Sequence, residues 1–244
     1  MLAELRQAIQ RLERPAGFEA DAGVLPFGIP VLDAVLGGGL ARGALHEISA
    51  ASESHMAAAT GFALALREPS KAAVWIAQDL ALLESGAPCG SGLDESGLDP
   101  ERLITVAVAQ PRDLLWAMEE ALHCHAIGAV IGELRHENID AVALRRLSLA
   151  AAGTGALALL LRAAPSNHAS TAATRWVVGA APSQPRYGPG APRVSAQLVR
   201  NRRGPTGTWM LEWSDTDERF VLASTHPQPV ALPAGDRSAR AAVA

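Results

Sequence analysis

The stretch from Ala44 to Arg67 poses the first chemical question. An apolar run, Ala44 to Ser49, is entered from Gly43 and predicts a strand; residues 54–67 are Ala- and Leu-rich and predict a helix; between them lies the Ser-rich loop Ser49-Ala50-Ala51-Ser52-Glu53-Ser54-His55. Strand, polar loop and helix in that order form the setting of a phosphate-binding loop. Such a loop needs glycines that turn backbone N–H groups onto phosphate, a lysine for the outer phosphates and a hydroxyl for Mg²⁺. Here Ala50 opens the loop without a glycine, and the Gly-Lys-Thr positions at the helix entry hold His55, Met56 and Ala57. Glu53 adds negative charge where phosphate would lie. The chain's single lysine, Lys71, sits elsewhere in a polar connector, and no Gly-Lys-Ser/Thr occurs. A helix N-terminus still attracts an anion, but lysine, hydroxyl and glycine are missing together. The loop reads as an ATP site that has been abandoned.

The arginines pose the second question. Net charge is −4 overall, yet residues 1–140 carry 9 basic and 20 acidic side chains, while residues 141–211 carry nine arginines and no acid. Such segregation points to a surface for a polyanion or an acidic protein; the plainer alternative is pairing with acids of the first half. Arg200, Arg202 and Arg203, in the turn Arg200-Asn201-Arg202-Arg203-Gly204-Pro205-Thr206-Gly207, are the most interesting group. Arg200 and Arg202 have period two and project from one strand face, with Arg203 in the turn. Guanidinium groups so placed suit phosphate or a partner's carboxylates. Arg175 follows a polar, aromatic-free loop, 165–174, and with backbone N–H groups offers weak contacts to single-stranded DNA.

Other constellations carry less. His123 and His125 would point about 200° apart on a helix and cannot share a metal ion; one core-facing and one exposed histidine is the expectation. Ser49, Ser54, His55 and Asp79 lack the Gly-x-Ser-x-Gly elbow of a hydrolase. Glu119-Glu120 reads as a solvated helix face, and Trp209 and Trp213 as core. Cys89 and Cys124 make neither a disulfide framework nor a zinc site. No metal and no cofactor is expected.

These side chains must be held by elements that the pattern supplies. Helical spacing of Leu2, Leu5, Ile9 and Leu12 ends at Pro15, and 15–27 reads as a linker. Pro30 opens a helix that Gly37-Gly38-Gly39 stops. Strands are expected at 72–77, 103–108, 128–132 and 155–161. Helices are expected at 79–85, 112–126 and 138–152, the second with Leu115, Met118, Ala121, Leu122 and His125 on one stripe. Residues 86–100 read as a loop. Such alternation means βαβ units and a mostly parallel sheet. Trp176-Val177-Val178 is a further strand, residues 181–192 an irregular loop, and 194–200 with 209–213 a late antiparallel hairpin. Residues 224–244 lack periodicity and read as a disordered tail. With hydrophobic residues at 49% and aromatics at 4%, the core falls to Ala, Leu and Val. No run approaches the ~20 apolar residues of a membrane span, the first residues lack a secretory apolar region, and a cytoplasmic protein is expected.

Several of these motifs together resemble a known core. Gly28-Ile29-Pro30-Val31-Leu32-Asp33, followed by Leu36-Gly37-Gly38-Gly39-Leu40-Ala41-Arg42-Gly43 and His46-Glu47-Ile48, resembles the entry to a RecA-type domain. So do Gly97-Leu98-Asp99-Pro100-Glu101-Arg102-Leu103 and the arginine turn, and the resemblance spans roughly residues 25–223. It implies an α/β fold, a mostly parallel twisted sheet flanked by helices with a C-terminal antiparallel hairpin. The domains are then 1–24 as N-terminal helix and linker, 25–223 as core and 224–244 as tail. It also implies lost catalysis: Gln78 stands at the position of the water-activating Glu, and Gly132, with Glu133 next, where the Walker B strand ends in Asp. With Trp75-Ile76-Ala77-Gln78-Asp79, Arg175-Trp176 and the arginine turn, the chain is similar to the ImuA family of SOS-mutagenesis proteins. That implies a non-catalytic adaptor in translesion synthesis, working beside ImuB and a C-family error-prone polymerase and touching a RecA filament or single-stranded DNA. Residues 205–244 are the ImuB-docking region by the same analogy. Two other readings stand beside it: a SulA-like inhibitor of a tubulin-like division protein, and an unusual nucleotide-binding enzyme that uses Glu133.

Overall fold

The computed structural model describes residues 23–68, 70–95, 97–135, 139–183 and 190–223. The expected helix at 2–14 and the tail at 224–244 lie outside them. Among the described residues eleven strands and six α-helices follow one another: β1 (Val24–Leu25), α1 (Pro30–Leu36), β2 (Leu40–Ala41), β3 (Ala44–Ala50), α2 (Met56–Ala65), β4 (Ala72–Gln78), α3 (Asp79–Ser85), α4 (Gly90–Glu95), β5 (Leu103–Val108), α5 (Pro111–Leu122), β6 (Ile127–Glu133), α6 (Ala141–Thr154), β7 (Leu157–Arg162), β8 (Thr174–Ala181), β9 (Arg193–Asn201), β10 (Gly207–Ser214) and β11 (Arg219–Leu222).

Nine of the strands form one sheet in the order β11-β10-β9-β8-β3-β7-β6-β4-β5. From β5 to β8 every pairing is parallel, and from β8 to β11 every pairing is antiparallel. The mostly parallel sheet with a late antiparallel section is therefore the architecture. Part of the expected linker is ordered instead, because Val24–Leu25 pairs with Leu40–Ala41.

The alternation of side chains across each strand builds two apolar layers. On one face Ile48, Ala50, Trp75, Ile131, Leu159 and Trp176 meet Ala59, Phe62 and Ala63 of α2. On the other, Leu45, Val74, Ile76, Val130 and Leu160 meet Leu114, Met118 and Leu122 of α5 and Leu144 and Leu147 of α6. The expectation of an aliphatic core needs one amendment. Phe27, Phe62, Trp176, Trp209, Trp213 and Phe220, six of ten aromatics, join through ring contacts of 5.2–6.1 Å on the first face.

Helix ends follow local chemistry. Pro30 lies in the first turn of α1, and Gly37 closes it in the left-handed region at φ 72°. The Asp33 carboxylate, from the Leu-Asp of the entry motif, accepts N–H bonds from Phe27, Gly28 and Ile29 at 2.8, 3.0 and 3.1 Å. It thereby fixes the chain's approach to the helix. Asp140 caps α6 through the Ala143 N–H at 2.6 Å.

Two expectations are corrected. The 86–100 loop contains α4, because Leu93 and Leu98 are buried and anchor it. Helix α5 ends at Leu122, with Leu114, Met118 and Leu122 as its buried stripe. His123 and His125 both lie beyond its last residue and are both exposed. Of the expected stripe only His125 is lost, because the helix was expected to run on to residue 126; Leu115 and Ala121 pack, partly buried, against the same layer.

His46 is fully buried on β3. Its Nε2 lies 2.9 Å from the Ala41 carbonyl and its Nδ1 2.8 Å from Thr174 Oγ1, which also accepts the Trp176 indole N–H at 2.9 Å. A consistent set of donors puts the proton on Nε2, with Thr174 donating to Nδ1. Burial, more than the opposing Ala41 bond or the charge of Arg203, lowers its pKa from 6.5 to about 4. Between those values the unfolded chain binds a proton that the folded chain refuses. Stability therefore falls as pH drops from about 6.5 toward about 4, by up to about 3 kcal/mol. Urea midpoints for the native chain and His46→Gln, measured at pH 7 and pH 4.5, should show a smaller acid loss in the variant. An equal loss in both would assign it to other groups.

Candidate functional site

Parallel sheets present loops at the ends of their strands, and the sequence candidates divide between the two edges. At the edge where the parallel strands end lie the loop after β3, Gln78 at the end of β4, and Gly132 and Glu133 at the end of β6. The loop after β3 is short: one turn of 3₁₀ helix, Glu53–His55, leads directly into α2. It is tied to β8, since the Ala51 N–H donates to the Val178 carbonyl at 2.8 Å and the Ala180 N–H donates to His55 Nδ1 at 3.0 Å. No residue from 50 to 57 has positive φ. The alternating right- and left-handed backbone that gathers N–H groups around phosphate is thus not formed.

Gly132 faces the helix layer. A Cβ there would lie 2.1 Å from Met118 Sδ and 3.1 Å from Leu114 Cδ2, both side chains fully buried. Glu133 turns the other way and is 6% exposed. Its Oε1 accepts the Arg135 Nε–H at 2.8 Å, while Arg135 also donates to Ser85 Oγ at 2.6 Å and lies 3.6 Å from Glu84. The acid next to the Walker B position is engaged in an ion pair.

The arginines emerge at the opposite edge. Strand β8 starts beside β3, with Thr174 paired to His46, and β9 returns so that Asn201 faces Thr174 and Arg200 faces Arg175. Arg200 and Arg202 both donate to the Ser170 carbonyl, each at 3.1 Å, and Arg203 donates to the Gly37 carbonyl at 3.3 Å. The period-two projection thus brings two guanidinium groups onto one acceptor. Among the described residues no carboxylate pairs with any of the three. Partial burial, and then the charge of Arg200, lower the pKa of Arg202.

The plainer account of the acid-free stretch holds for other members. Arg146 pairs with Glu119 of the first half at 2.5 Å, whereas Arg193 pairs with Glu212, just beyond the acid-free stretch. Arg175, expected at the surface, points inward: its Nε donates to Glu47 at 2.7 Å, and its NH groups donate to the carbonyls of His168 at 2.5 Å and Ser166 at 3.4 Å.

Glu47 is the residue that sequence reading missed. It is buried in β3 and also accepts the Ser170 hydroxyl, with His168 Nε2 3.5 Å away. An acid inside a wholly buried strand was the available signal. Around it the loop 165–174, expected to be polar and flexible, is pinned to the sheet. Thr171 adds a bond to the Leu144 carbonyl at 3.1 Å.

Two curated proteins, each named Protein ImuA and from two strains of Caulobacter vibrioides, are 32% identical to this chain over 218 residues, covering 81% of it and 86% of each relative. The chain belongs to the ImuA family. A solved structure, that of the RadB recombinase, matches with TM-score 0.57 and 15% identity over 82% of this chain and 100% of that one. That likeness is one of fold and agrees with a RecA-like core. No family model matches the chain. Among the described residues no helix is long and apolar enough to cross a membrane.

For this ImuA-family chain, position 132 is closed to the acid of an ATPase by packing. Gly132→Asp forces Met118 and Leu114 aside and buries a carboxylate among apolar groups. Overpacking alone costs about 1–3 kcal/mol. Thermal melts should show a large destabilisation, and an unchanged melting temperature would mean that the α5 layer yields freely there.

Proposed function

We propose that this ImuA-family chain is a non-catalytic adaptor of the SOS mutasome. It supports error-prone translesion synthesis by binding ImuB and, on the same surface, a RecA filament or single-stranded DNA. Residues 25–223 act as its RecA-like core, and the C-family polymerase joins through ImuB. Family membership supplies the process. The observation that carries the mechanism is the trio Arg200, Arg202 and Arg203, set on a hairpin edge with no carboxylate against it among the described residues. Two like charges that share one carbonyl leave a field that an acidic protein surface or a phosphate relieves. Arg175 acts indirectly: by bonding the 165–174 loop to Glu47, it holds the Ser170 carbonyl where Arg200 and Arg202 meet.

The test is co-elution of the purified chain with ImuB and with RecA on a sizing column, using native protein and the Arg200/Arg202/Arg203→Gln variant. Glutamine keeps donors for the two carbonyls and removes the charge. Binding should weaken at least tenfold. Undiminished binding would move the interface to another surface, and binding to neither partner would end the adaptor reading.

The lost-ATPase half of the proposal has its own check. Titration calorimetry with Mg-ATP should be flat for the native chain, and also for His55→Lys combined with Met56→Thr, because the loop backbone forms no phosphate nest. Heat that disappears in Glu133→Gln would instead establish a nucleotide site built on that acid.

A further inference from the structure

A cleft of about 340 Å³ opens at the strand-end edge of the sheet, on the α2 face. Met56, Thr60 and Leu64 supply one wall from successive turns of α2. Trp75 of β4, Leu93 of α4 and its preceding connector, and the paired Glu133 and Arg135 complete the lining. It lies at the other edge of the sheet from the arginine trio.

Three observations describe what the cleft accepts. First, Trp75 is 1% exposed, and its indole N–H finds no acceptor among the described residues. A buried donor left unpaired is costly, so an occupant with a carbonyl oxygen gains by supplying one. Second, Met56, Leu64, Leu93 and Trp75 give the cleft aliphatic and aromatic walls, which favour an apolar body. Third, its surroundings are acidic. Residues 79–101, which include the whole connector wall, hold six acids and no lysine or arginine. Asp94 and Glu95 are exposed on the helix that supplies Leu93. Arg135 lies between Glu133 and Glu84, so its charge is already matched. An anionic ligand such as a nucleotide is disfavoured here, and a cationic one is drawn in.

We propose that this cleft is a docking site for a basic peptide segment of a partner protein. An aliphatic side chain fills the space between α2 and the connector, a main-chain carbonyl accepts the Trp75 indole N–H, and flanking lysines or arginines face Glu84, Asp94 and Glu95. A peptide supplies apolar body, carbonyl and cationic flanks in one short stretch. The site is separate from the arginine surface, so the two can be occupied together.

The test uses the full ¹⁵N-labelled chain and follows the Trp75 indole resonance by NMR, assigned with Trp75→Phe. Three probes are titrated to millimolar concentration: a blocked hexapeptide with two central leucines between arginines, its twin with glutamates in place of the arginines, and acetyl-leucine amide. The basic peptide should move the indole signal saturably, with at least tenfold tighter binding than either other probe. Thr60→Trp and Cys89→Trp, which put a bulky ring into the cleft from two lining positions, should each abolish the shift; Cys89 is exposed, so that variant keeps the core intact. The Arg200/Arg202/Arg203→Gln variant should bind the probe like the native chain, which separates this site from the adaptor surface. An unmoved Trp75 signal overturns the proposal. So does equal binding of the acidic twin, which removes the charge argument, or equal binding of acetyl-leucine amide, which makes the cleft a small-molecule site.

Discussion

The buried carboxylate of Glu47 holds the connection between β7 and β8 against the sheet. It sits in the middle of β3, a strand with every residue buried, and a charge in that position is tolerated only when it is paired and hydrogen-bonded. Arg175 and Ser170 supply the partners, and His168 stands close by. All three lie more than 120 positions from Glu47 in the chain. The loop between β7 and β8 must therefore cross the sheet and come down upon it. Once it does, the Ser170 carbonyl is fixed in place and becomes the anchor for Arg200 and Arg202. A buried acid thus determines where an exposed basic group stands.

The two edges of the sheet have been put to different uses. The edge at which parallel strands end is where open α/β sheets ordinarily bind ligands. Here its loop is shortened onto β8 and its Walker B position is filled by α5. Positive charge stands at the other edge, where a hairpin carries guanidinium groups that no acid among the described residues matches. A RecA-like core has kept its framework, including Asp33 and the glycine turn that orient the first helix, while the parts that would hold phosphate have changed. Fold and site chemistry are separable in this way because the core needs only apolar layers and closed backbone bonding.

Much of the framework was legible in the residues. The alternation of apolar runs with helical stretches announced a mostly parallel sheet, and the arginine turn announced an exposed basic hairpin. Loss of lysine, glycine and hydroxyl together announced a changed phosphate loop. Helix α4 was hidden because its composition is that of a loop and only the burial of Leu93 and Leu98 holds it. The overrun of α5 had a similar cause, since nothing in His123-Cys124-His125 punctuates a helix as glycine or proline would.

What the sequence determined by itself is what depends on near neighbours: strand and helix periods, caps and turns, and the sign of charge along the chain. What only the tertiary structure decided is which groups are spent and which are left over. Arg175 and Arg200 look alike in sequence, yet one is consumed by Glu47 and the other is not. Gly132 looks like a simple loss until Met118 is seen against it. The cleft beside Trp75 is assembled from α2, β4, the connector and the end of β6, segments whose spacing along the chain carries no pattern. Hydrogen bonding and packing are settled between distant residues, and only folding brings those residues within reach.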